Sequence, residues 1–147
     1  MAWSASGLFV ATHVDQWDVT NLAIDLGAED GKLALWGSAV TPNFTTDTAY
    51  GVAPWNAGES SGAGYTAGGP TLTLTTLTAA SGSMVFDAEN VQLNNSTIIA
   101  EGALQYWPLK SNRAFLAVWF GAPKETQDGT FLITWHASGI AVLDCSP

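Results

Sequence analysis

The sequence predicts an all-β protein: a single-domain antiparallel β-sandwich of about 8–10 short strands, with at most one short helix near the N-terminus. Three observations carry that expectation. From residue 71 onward, apolar and polar residues alternate in short runs separated by Gly, Ser, Asn and Asp. No stretch sustains a helical period. Charged residues make up 12% of the chain, against roughly 25% in an ordinary domain. Such a surface is covered by Ser, Thr, Asn, Gly and exposed apolar atoms, which favours a protein partly hidden in an assembly; a Thr-rich soluble domain is the plainer alternative.

The elements follow in order. Residues 7–12 (Gly-Leu-Phe-Val-Ala-Thr) read as a first strand. Over 13–22, Val14, Trp17 and Val19 fit a short helical turn that its β-branched residues weaken. A hairpin is expected from 24–26 and 32–36 across the acidic turn 27–31. Residues 41–61 have no period and form a long loop, which Phe44, Tyr50 and Trp55 either pin from within or offer to a partner. The glycine-rich stretch 59–70 then connects this N-terminal part, 1–58, to a strand-rich body, 71–143, followed by a tail, 144–147. Strands are expected at 71–78, with a bulge at Thr75-Thr76, and at 83–87 and 97–106, the last ended by Pro108. The segment 114–120 is apolar on both faces, so it is a central strand covered twice or one covered by a neighbouring molecule. A polar turn at 121–129 and strands at 130–136 and 140–143 complete the order.

Charge excludes several functions. The net charge is −9 and the cations are Lys32, Lys110, Arg113 and Lys124, too few and too scattered to neutralise a nucleic-acid backbone or hold an anionic membrane. No run of 18 apolar residues is present. The start, Met-Ala-Trp-Ser-Ala-Ser, lacks a basic-then-apolar leader, so the expectation is folding in a cytoplasm without export. The single cysteine, Cys145, forms no intrachain disulfide, and nothing marks it as a nucleophile.

Catalytic and metal patterns are weak throughout. His13 and His136 stand in no H-x-x-x-H arrangement, and His136, alternating with Leu132 and Thr134, reads as a surface or interface residue. No G-x-S-x-G elbow occurs. Asp87 and Glu89 with Asn90 or Asn94 have the oxygen chemistry for calcium but read as solvated turn residues. Gly62-Ala-Gly64 begins like a nucleotide fingerprint, yet Ala67 stands where the third glycine belongs. Neither a cofactor nor a metal is expected. Among the seven tryptophans, Trp119 and Trp135 lie in strong strands and are expected in the core. Trp3, Trp55 and Trp107 lie at a terminus, in a loop and beside a proline. With Tyr106 and His136 they are the candidate interface residues.

The ordered series Lys32-Leu-Ala-Leu-Trp-Gly-Ser-Ala-Val-Thr-Pro-Asn43, Asp47-Thr-Ala-Tyr50, Glu59-Ser-Ser-Gly-Ala-Gly-Tyr-Thr-Ala-Gly-Gly69, Val85-Phe-Asp-Ala-Glu89, Asn95-Ser-Thr-Ile98 and Asp128-Gly-Thr-Phe-Leu-Ile-Thr-Trp135 with Ser138-Gly-Ile140 resembles small β-rich virion structural proteins of tailed bacteriophages. The likeness spans about 32–143, and Tyr65-Thr-Ala-Gly-Gly69 weighs most in it. It implies a non-enzymatic virion component, first of all a capsid decoration (cement or head-fibre) protein bound to the major capsid protein and to copies of itself, with a homotrimer as one arrangement. The chain departs from the pattern at 100–107, where relatives carry Ala-Arg-Tyr-Ala and an acidic turn, so an exposed face is expected to differ there. A tail or fibre component stacking host glycan on Trp55 or Trp107 is the alternative. A hydrolase on a sandwich scaffold has no nucleophile, base or metal set behind it.

Overall fold

A computed structural model describes residues 3–146; Met1, Ala2 and Pro147, the last residue of the predicted tail, lie outside the described residues. The chain folds as β1 (Gly7–Leu8), α1 (Val10–Trp17), β2 (Lys32–Trp36), β3 (Thr76–Ala80), β4 (Ser83–Asp87), β5 (Val91–Trp107), β6 (Arg113–Ile133) and β7 (Ala141–Asp144). All pairings are antiparallel, in a four-stranded sheet ordered β1-β6-β5-β2 and a three-stranded sheet ordered β3-β4-β7. The all-β, sandwich-like architecture agrees with the expectation. Seven strands are present among the described residues, against eight to ten expected, because the predicted strands at 114–120 and 130–136 fuse into one and 24–26 forms none.

That fusion follows from how β6 pairs with β5. β5 and β6 run as one ribbon from Val91↔Ile133 to Trp107↔Arg113, and the register slips between Ala100 and Gly102, where the partners jump from Lys124 to Trp119. The extra residues of β6, among them Gly121 at φ +81° and Pro123, are absorbed as a bulge. A sequence that reads as a polar turn at 121–129 therefore stays extended. The ribbon closes at Pro108–Lys110, a 3-10 turn, with Ser111 and Asn112 both left-handed.

The proximal half of the ribbon is buried on both faces. Leu33, Leu35, Ala103, Trp107 and Leu116 belong to a core shared with Leu72 and Phe86, on the side of the small sheet. Ala34, Trp36, Leu104, Tyr106 and Ala117 belong to a second core made with Trp3, Phe9, Val40 and Trp55. The long loop is pinned from within. The Trp55 ring meets Trp3 at 5.4 Å and Trp36 at 5.2 Å, and its indole N–H donates to Asp47 at 3.0 Å. Residues 114–117 are thus a strand covered twice within one chain.

Two N-terminal expectations are corrected. The strand at 7–12 stops after Leu8, and Val10–Trp17 is helical although Val and Thr disfavour it. Docking outweighs propensity here: the Thr12 hydroxyl donates to Ala114 O, His13 stacks on Phe115 at 5.1 Å, and Asp15 pairs with Arg113 at 2.7 Å. The hairpin of 24–26 with 32–36 does not form, since β2 pairs with β5 (Lys32↔Tyr106 to Trp36↔Gly102) while Ile24 and Leu26 pack on the first core. At 71–78 only Thr76 onward is strand, because Leu74 at φ +50° breaks the run.

The glycine-rich stretch is no spacer between halves. It lies along the outer edge of β2 and supplies the partners that a further strand would give. Leu33 N donates to Pro70 O at 2.9 Å and Ser60 N to Leu35 O at 2.8 Å, and just beyond both segments Gly37 N donates to Gly58 O at 3.1 Å. It also reaches β5, with Thr97 N donating to Ala63 O at 2.9 Å and Ser60 Oγ to Ile99 O at 2.8 Å. Such proximity needs glycine. A Cβ at Gly69 (φ +75°) would stand 1.9 Å from Leu33 O, and one at Gly62 (φ +141°) 2.0 Å from Thr97 O.

Gly69→Ala is therefore expected to cost well over the ~1–2 kcal/mol of a left-handed alanine alone. Gly121→Ala, also left-handed but with nothing within 4 Å of its Cβ, should cost about that backbone penalty. Urea denaturation of the two variants beside the parent measures the difference.

Candidate functional site

The structure places four of the five candidate interface residues inside the protein. Trp3, Trp55 and Trp107 are 2%, 1% and 1% exposed, and Tyr106 is equally buried. These residues are core, because the irregular segments that carry Trp3 and Trp55 are themselves the second covering layer of the sheet, and Trp107 stands at the doubly covered end of β5. His136 alone is exposed, in a loop after β6 rather than in the predicted strand, with its Nδ1 accepting from Ser138 N at 3.1 Å. The expected core residues Trp119 and Trp135 are only half-buried. Residues 100–107, where an exposed face was expected, are buried throughout.

The densest polar cluster surrounds Glu59. Its Oε1 accepts from the Tyr65 hydroxyl at 2.7 Å and from Gly68 N at 2.6 Å, and its Oε2 accepts from the Tyr50 hydroxyl at 2.8 Å. Tyr65 is half-buried, less than expected, but its hydroxyl oxygen also accepts from Leu35 N at 2.9 Å. Tyr106 stacks on Tyr50 at 4.4 Å and donates to Gly68 O at 2.9 Å. All three tyrosines of the chain meet here. Burial first, then the Glu59 carboxylate, pushes Tyr50 up to about 12 and raises Tyr65 further; the same causes raise Tyr106. Each hydroxyl is held protonated as a donor, and the clefts described below are lined by none of these residues. The arrangement is a lock on the β2 edge.

Other polar candidates are spent on local bonds. Asp87 caps Ala88 N at 2.9 Å, Glu89 accepts from Thr73 at 3.0 Å and Asn94 accepts from Gln92 at 2.7 Å. Among the described residues no group of three or more His, Cys, Asp or Glu could hold a metal ion, and no helix is long and apolar enough to cross a membrane.

A different surface stands out. Between α1 and the inner face of the β3-β4-β7 sheet runs an apolar groove of about 140 Å³, lined by Trp17, Ile24, Leu26, Leu77, Met84 and Leu143, with Thr12, His13 and Gln16 as its polar fringe. Beside it, Val10, Val14 and Trp17 form an i, i+4, i+7 stripe on α1, and Trp17 is 73% exposed. Val142 and Leu143 extend the patch along β7, an edge strand. The sequence held the signal for this stripe in its spacing, which the expected strand at 7–12 concealed. A second, shallower cleft on β6 is lined largely by threonines with Lys124 and Glu125.

No protein-family model matches the chain, and neither a curated protein nor a solved structure matches it.

Two outcomes are expected from these placements. Trp17→Ala should leave stability within ~0.5 kcal/mol of the parent, as surface changes do, whereas Trp55→Ala should cost about 3–5 kcal/mol; denaturant midpoints compare them. The tyrosine lock also sets a pH dependence. Unfolded tyrosine titrates at its ordinary value of 10.0 and folded Tyr50 at about 12. The folded state therefore keeps protons that the unfolded chain has released, and the tyrosine contribution, fully present below pH 10, is lost as pH rises through about 12. Urea midpoints measured across that window should fall, and Tyr50→Phe should make the fall shallower.

Proposed function

We propose that the chain is a virion structural protein of the tailed-phage type, a capsid decoration protein that docks on the outer surface of the major capsid protein shell and stabilises it. The observation that carries this reading is the apolar patch of α1 and β7. It lies open on a molecule whose four-stranded sheet is covered on both faces in its proximal half and, at β2, along its edge. Scattered exposed apolar residues need no explanation, but a stripe continuous with a groove marks a docking surface. Low charge density and the ordered phage-like motifs of 32–143 support the same reading.

Docking would bury the patch across neighbouring shell subunits, while the remaining acidic surface discourages association between virions. Copies of the same chain on adjacent subunits would be neighbours in such a coat. The glycan-binding alternative loses its platform, since neither Trp55 nor Trp107 presents a ring face to solvent.

Purified protein mixed with shells that lack it should co-sediment with them, and decorated shells should withstand heat or low ionic strength better than bare ones. Protein left in the supernatant, with bare and treated shells equally robust, would contradict the proposal.

A further inference from the structure

The groove beside α1 has an electrostatic character that restricts what can occupy it. None of the residues lining it carries a permanent positive charge. Exposed carboxylates adjoin its lining residues along the chain instead: Asp18 follows Trp17 at the end of α1, Asp25 stands between Ile24 and Leu26, and Asp144, which accepts from the Ser83 hydroxyl, follows Leu143 on β7. Asp18 and Asp25 are exposed, each with one carboxylate oxygen accepting from local backbone, Thr20 N at 2.7 Å and Gly27 N at 2.9 Å. Arg113, which contacts the helix, is already paired with Asp15.

We infer that the groove is a docking site for a polypeptide segment that inserts one bulky apolar side chain and carries lysine or arginine on either side of it. This rests on the reading of the α1 patch as a partner surface and names the chemistry of that partner. Size supports a single anchor, since about 140 Å³ is close to the ~150 Å³ of a cavity that takes up one benzene. Charge supports the flanks: apolar walls with acidic borders attract a cationic rim and repel an anionic one. A second copy docking through the same patch would bring Asp18, Asp25 and Asp144 against their own equivalents, on chains that each carry −9. Apolar complementarity alone would leave that repulsion uncompensated.

The probe is a short synthetic peptide with a central Phe-Leu core and lysines on both sides. A control keeps the core and replaces every lysine with glutamate. Binding is read from peptide anisotropy and from the emission of Trp17, at low and high salt. The lysine peptide should bind about ten-fold or more tighter than the control at low salt, and the gap should narrow at high salt. Leu143→Glu and Trp17→Ser should each abolish or sharply weaken it, with circular dichroism reporting that both variants fold. Asp18→Asn combined with Asp25→Asn should narrow the gap between the peptides without removing apolar binding.

Equal binding of the two peptides, or binding of neither, would overturn the inference. So would a self-associated species in sedimentation that Leu143→Glu dissolves, because a second copy would then be the occupant. Shell co-sedimentation separates this inference from the decoration proposal. Shell binding that survives Leu143→Glu sinks the groove and leaves decoration standing. Peptide binding without shell binding does the reverse.

Discussion

An open strand edge is a row of unpaired amides and carbonyls that invites another chain, and β2 is such an edge on the most buried sheet of the molecule. The chain closes it with irregular backbone instead of an eighth strand. Pro70 O, Ser60 N and the Tyr65 hydroxyl each take a ladder position. A hydroxyl can do this because one oxygen accepts from Leu35 N while its own proton goes to Glu59. Without the carboxylate the tyrosine would have no fixed direction; without Gly62 and Gly69 the backbone could not come so near β2 and β5. The glycine-rich stretch and the edge cover are therefore the same residues performing one task.

Much of the body was readable from alternation. The strand Ser83–Asp87, the stop at Pro108 and the twice-covered segment at 114–117 follow from residue patterns that depend on neighbours two positions away. The failures share one physical reason, which is that contacts distant in sequence decided them. The short helix begins at Val10, inside the expected strand, because Ala114 and Phe115 hold it there; β2 chooses β5 over the nearer 24–26; and β6 passes through 121–129 because β5 is long enough to pair with both sides of the bulge. None of these is visible in a local window.

The site residues failed in an instructive direction. Tryptophans in loops read as exposed, and tryptophans in strands as buried. Here the loops form a layer of the sandwich, so Trp3 and Trp55 pack edge-to-face in a core while Trp119, on the ribbon, and Trp135, just past its end, stay half open. An eight-residue helix carries the exposed tryptophan instead, at the rim of a groove that only the folded chain assembles from α1, residues 24–26 and the small sheet. One edge is closed and one patch is left open, and that contrast is what ties fold to function in this account.

Amide hydrogen exchange on the free protein and on shell-bound protein tests that contrast most directly. The account predicts that amides of 33–37 are protected to the level of global unfolding before any partner is added, and that shell binding adds protection at 10–17 and 141–144. Rapid exchange at 33–37 in the free protein, or new protection appearing at 59–69 in place of α1 and β7, would contradict it.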